Sequence, residues 1–116
     1  MISKEIVGVW IFHFRGSHKD GSIKIWVKTK REPDQYDGFV FKKGGELIVH
    51  SQIDYAGDDE VYEHVLFSGK WSILDDSTVQ IDYVEDTREI RQKFRFYKKG
   101  ARGFELQRLS SALISQ

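Results

Sequence analysis

Apolar and polar residues alternate with a period of two along almost the whole 116-residue chain, and helical periodicity is hard to find. Over 7–14, Trp10, Phe12 and Phe14 point one way while Val9, Ile11 and His13 point the other. Over 22–30, Ile23, Ile25 and Val27 oppose Lys24, Trp26 and Lys28. Further strands are expected over 39–41, 47–53, 78–84, 90–97 and 104–109, with Val79, Ile81 and Tyr83 on one face and Phe94 and Phe96 on another. The stretches 61–67 and 71–74 read either as one strand bent at Gly69 or as two. Residues 110–116 read as a tail that either frays or makes one short turn around Leu113 and Ile114.

Glycine, aspartate and the single proline punctuate these segments at short intervals, as turns require. About eight strands with short links and no crossover helix pair mostly as antiparallel neighbours. A sheet of that length without a covering helix must close or fold over to bury one face and protect its edges. The expected fold is therefore all-β, a single domain over 1–116 forming an antiparallel up-and-down barrel of about eight strands. A two-sheet sandwich is the rival, and longer crossing connections would mark it.

Eight Phe, five Tyr and three Trp supply much of a small core, since each such ring buries about 150–250 Å². Eighteen basic and eighteen acidic residues give a net charge of zero, without the long-range field of a general nucleic-acid binder or a polybasic membrane protein. Neither nucleic acid nor membrane is an expected partner. The interleaved Lys93-Phe94-Arg95-Phe96 fits a core with a solvated exterior better than a stacking platform, because its rings and cations alternate between faces. No cysteine is present, no run approaches a membrane span, and the first residues lack the apolar region of a leader. These features fit the cytoplasm, although a trimmed secretory signal would leave the same sequence.

Gly8-Val9-Trp10, at the start of the first strand, resembles the Gly-x-Trp signature of the lipocalins and their calycin relatives. Phe67-Ser68-Gly69-Lys70-Trp71-Ser72-Ile73, followed by an aspartate-rich turn, is similar to small bacterial lipocalin-like domains. The resemblance implies a lipocalin-like barrel plugged at one end by Trp10, with Gly8 curving the strand and Arg108 of the last strand lying over the indole. It also implies a small, partly apolar ligand in the open end, lined by Phe12, Phe14, Phe39, Phe41, Tyr62, Tyr83, Phe94 and Phe96. That inward set is fixed only to within strand parity. A barrel interior packed solid, with no pocket of at least about 300 Å³, would overturn that ligand reading. The second and third lipocalin signatures are not recognisable, which argues against a deep cup.

His13, His18, His50 and His64 form no closely spaced ligand pair, and neither a metal nor a cofactor is expected. His50 and His64 are expected as cross-strand neighbours. Glu63 and Asp82 are the strand carboxylates that an enzyme could use if they faced inward, and an outward orientation is the expectation. The alternative to ligand binding is a filled barrel that forms a homodimer through Trp26, Tyr36 and Tyr55. Trp26 stands there as an exposed contact, or else as an inward ring between two lysines whose ammonium groups reach out to water.

Overall fold

In the computed structural model, the residues described are 5–12, 25–30, 37–54, 62–99 and 103–115. Eight strands account for most of them: β1 (Gly8–Phe12), β2 (Ile25–Thr29), β3 (Gly38–Phe41), β4 (Glu46–Asp54), β5 (Tyr62–Asp75), β6 (Thr78–Glu85), β7 (Arg88–Lys99) and β8 (Gly103–Ser115). All pair antiparallel and close into one barrel. The all-β up-and-down barrel expected from the alternation is thus the fold. No helix among the described residues is long and apolar enough to cross a membrane.

One connection departs from sequential order. Strands β3 to β8 form an unbroken meander, but the β1–β2 hairpin bridges its ends with β1 against β3 and β2 against β8. Val9 faces Val40 across the first seam, and Trp26 faces Leu106 across the second. β2 and β3 are therefore consecutive in the sequence but separated in the sheet by β1, a non-sequential order that local alternation does not carry.

The stretches on either side of Gly69 are one strand, β5. A Cβ at Gly69 would lie 2.3 Å from the Asp82 carbonyl oxygen and 2.8 Å from the Tyr83 Cβ, so only glycine allows β5 and β6 to approach this closely. The C-terminal segment is a correction. Residues 110–115 neither fray nor turn; they extend β8 along the full length of β7. Register shifts leave Leu109 and Ile114 as extra residues on β8, and such bulges bend a strand and scramble its alternation. Leu-Ser-Ser-Ala-Leu-Ile accordingly carries no period-two signal, and its apolar side chains are largely exposed.

Trp26 is the second correction. It is only 6% exposed and packs against Phe12, Phe39 and Phe94 at ring-centroid distances of 5.5, 5.2 and 5.1 Å. Register explains the inversion: Trp26 pairs with Phe12 and Lys28 with Trp10, so the whole Trp26–Lys28 face of β2 looks inward. Trp26 is therefore the inward ring of the two options, not an exposed dimer contact. Tyr36 and Tyr55 lie outside the described residues.

The core is a stack of aromatic rings. Trp10, Phe41 and Phe94 are fully buried together with Ile6, Leu47, Val79, Ile81 and Leu106. Trp10 meets Phe41 and Phe96 edge to face, and Trp71 reaches the other side of Phe41 at 5.7 Å. An eight-stranded barrel has an interior just wide enough for its own side chains, and these rings fill most of it. Gly69→Ala is expected to destabilise the fold by about 1–3 kcal/mol in urea unfolding, because β6 backbone stands where the methyl must go. Unchanged stability would contradict the close approach.

Candidate functional site

The two ends of the barrel differ in chemistry. At the end where β1 begins, the Trp10 Nε1–H donates to the Ile6 carbonyl at 2.9 Å, tying the preceding helical turn across the opening. Lys28 reaches the same place from inside. Its Nζ donates to the Glu5 carbonyl at 2.6 Å and lies 5.6 Å from the Phe104 ring centroid. Burial lowers the Lys28 pKa, and the negative charge of Glu5 opposes that shift. Gly8 makes room for this stem: a Cβ there would stand 2.8 Å from the Lys28 Cε, and the φ of 139° also favours glycine.

Gly8 and Trp10 thus lie together at this end with Lys28, and Arg108 does not. Gln107 pairs with Ile25 and Glu105 with Val27, a register that carries Lys28 and Trp10 toward the level of Phe104. Arg108 lies four residues farther along β8, opposite Phe94, toward the other end. The cation at this end is Lys28 of β2, on the same inward face as Trp26.

The other end holds a cavity of about 120 Å³, bordered by Trp26, Phe39, Val49, Ser51, Tyr83 and Gln92, with Asp37, Gly38 and His50 around it. Each of the six is set by strand parity, as Phe39 opposite Val49 and Gln92 opposite Ile81 illustrate. Three walls are apolar and three carry polar groups. Gln92, 8% exposed, donates its Nε2–H to Ser111 Oγ at 3.1 Å, which leaves its Oε1 as an acceptor. The Trp26 Nε1–H is buried with no acceptor. Burial, and after it the charge of Glu85, pushes the Tyr83 phenol above its ordinary pKa, while Arg108 and Arg88 pull it down and Asp37 pushes it up.

Of the eight residues expected to line a ligand site, Phe39 and Tyr83 border this cavity. Phe41 and Phe94 are spent on the core, Phe12 packs edge to face on Trp26, and Phe96 stacks on Phe104 at 5.3 Å. Tyr62 opens β5 opposite Asp54, with its side chain outside the described set, as is all of Phe14. Trp26, Val49, Ser51 and Gln92 were missed. Val49 and Ser51 share a parity with Leu47, a signal the alternation of β4 did carry.

A larger hollow of about 430 Å³ lies across β5, β6, β7 and β8, against Lys70, Asp82, Val84, Glu89, Arg91 and Ile114, and Tyr83 borders it as well. Asp82 pairs there with Arg91 at 2.8 Å, and this partner raises the guanidinium pKa further. Glu63 is exposed on β5. Both strand carboxylates therefore face outward, as expected, and neither borders the interior cavity. His50 and His64 are indeed neighbours on β4 and β5, with Nδ1 and Nε2 at 2.9 Å, and Gln52 bonds the far nitrogen of His64. Among the described residues no three metal-ligating side chains converge.

Comparison with protein-family models, curated proteins and solved structures returns no match for this chain.

The Tyr83 shift has a measurable consequence. The folded state holds the phenolic proton more tightly than the unfolded chain does. That stabilisation is complete below the ordinary tyrosine range near pH ~10 and is lost as pH rises through it toward the folded value. The urea midpoint of the wild type is expected to fall more steeply above that pH than the midpoint of Tyr83→Phe. Parallel curves would show that Tyr83 is not buried as described.

Proposed function

We propose that the protein binds a small, partly apolar molecule in the open end of its barrel, as a lipocalin-like carrier or sensor of compact ligands. The observation that supports this most is the aromatic-walled cavity of about 120 Å³ between Trp26, Phe39 and Tyr83. At about 120 Å³ it falls short of the roughly 300 Å³ on which a site for an ordinary small molecule was conditioned, so only a compact ligand is proposed. An apolar cavity of about 150 Å³ takes one benzene ring, so a single ring is the upper bound here and a long acyl chain has no place. Lipocalin-like kinship rests on the closed eight-strand barrel and on a Gly-x-Trp that plugs one end.

Toluene titrated into the labelled protein is expected to shift the Trp26 indole and Val49 methyl resonances saturably. Val49→Phe, which fills the cavity with its own ring, should remove those shifts, and a long-chain fatty acid should cause none. Silence of Trp26 and Val49 toward every one-ring probe would contradict the proposal, as would fatty-acid binding that Val49→Phe abolishes.

The second reading is a filled barrel that acts through self-association, and the ring-packed interior favours it. It calls for sedimentation that depends on protein concentration. A monomer at all concentrations would dismiss it and leave the ligand reading untouched.

A further inference from the structure

Resting on the reading of the cavity as a ligand site, we infer that its ligand is a neutral, single-ring heterocycle with a carbonyl beside an N–H, a lactam edge. Three groups with unspent hydrogen-bonding capacity border this one small space. The Trp26 indole N–H is a donor only, and it is buried with no acceptor. Gln92 has committed one of its two amide N–H groups to Ser111, so what it keeps is the second N–H and the acceptor Oε1, an amide edge. The Tyr83 hydroxyl can give or accept. A buried polar group without a partner costs free energy, so the orphaned Trp26 N–H calls for an acceptor, and the amide edge of Gln92 is matched by a molecule carrying a carbonyl beside an N–H. A carbonyl satisfies Trp26, and an adjacent N–H satisfies Gln92.

Charge and shape narrow the class further. The charges that act on Tyr83 are Asp37 and Glu85 on one side and Arg88 and Arg108 on the other, two of each sign. Of the cavity's neighbours, Asp37 is the one carboxylate, and its Oδ1 already accepts the Gln52 backbone N–H at 2.8 Å. A site balanced in this way offers little selective attraction to a full charge and suits a dipole. Trp26 and Phe39, tilted 39° to each other, give a flat ring an aromatic wall to pack on. The volume then admits one ring and no more.

Pyridone carries this edge, N-methylpyridone keeps the carbonyl but loses the N–H, and toluene is a ring with neither. Benzoate supplies an anion of similar size. Titrations followed at the Trp26 indole resonance should give pyridone the highest affinity, about tenfold above both toluene and N-methylpyridone, with benzoate weakest. Trp26→Phe keeps an aromatic wall and removes the donor; Gln92→Met keeps the length and removes the acceptor. For Trp26→Phe the titration is read at the Val49 methyls. Each substitution should cost pyridone about tenfold and leave toluene within about twofold.

Pyridone and toluene binding equally well would overturn the lactam inference and leave the cup standing. Tighter binding of benzoate would overturn neutrality. No shift from any of the four would sink the cup itself. Thermal unfolding checks that each variant is folded, and should Trp26→Phe fail to fold, Gln92→Met with the N-methylpyridone comparison still decides the outcome.

Discussion

Closure of the sheet by the β1–β2 hairpin is the constraint from which the rest of this structure follows. With β1 seated on β3 and β2 on β8, every strand has two neighbours among the described residues. Closure also fixes the circumference at eight strands, and that circumference fixes what fits inside. Rings as large as Trp10, Phe41, Phe94 and Trp26 then occupy nearly all of the interior. Among the described residues a cavity lies toward one end, while Trp10, Ile6 and Lys28 pack at the other. Strand number thus sets ligand size before any individual lining residue is considered.

Much of this was legible in the residues. Alternation located all eight strands, and Gly8-Val9-Trp10 located the closed end. Where the reading failed, each failure had one physical cause. In β2 the sequence Ile25-Trp26-Val27-Lys28 is apolar on both faces, so alternation could not say which side was inside. Trp26 therefore stood open between an exposed contact and an inward ring, and the register with β1 decides for the inward ring. Arg108 was placed over Trp10 by the lipocalin resemblance alone, and the register of β8 puts it elsewhere. In β8 the bulges at Leu109 and Ile114 broke the alternation, and a long strand looked like a tail. The non-sequential strand order depends on long-range pairing, which no local pattern encodes.

The candidate site teaches a related lesson. Aromatic residues were expected to line it because aromatic rings are what a cup for an apolar ligand needs. Most of them went to the core, where their area contributes most. What distinguishes the cavity is its polar minority: Gln92 facing inward from β7, Ser51 from β4, and an indole N–H without an acceptor. Such groups are costly in a barrel interior, and a structural filler would replace them with apolar residues of the same size. Their placement around this unfilled part of the interior links packing to recognition.

The crystal structure of the protein soaked with pyridone tests the central claim most directly, since the hollow at Val84 and Ile114 is larger and competes for the same probe. The account expects the ring against Trp26 and Phe39, its carbonyl oxygen about 2.7–3.2 Å from Trp26 Nε1 and its N–H directed at Gln92 Oε1. Density for pyridone in that larger hollow alone, with the interior cavity unchanged, would contradict it.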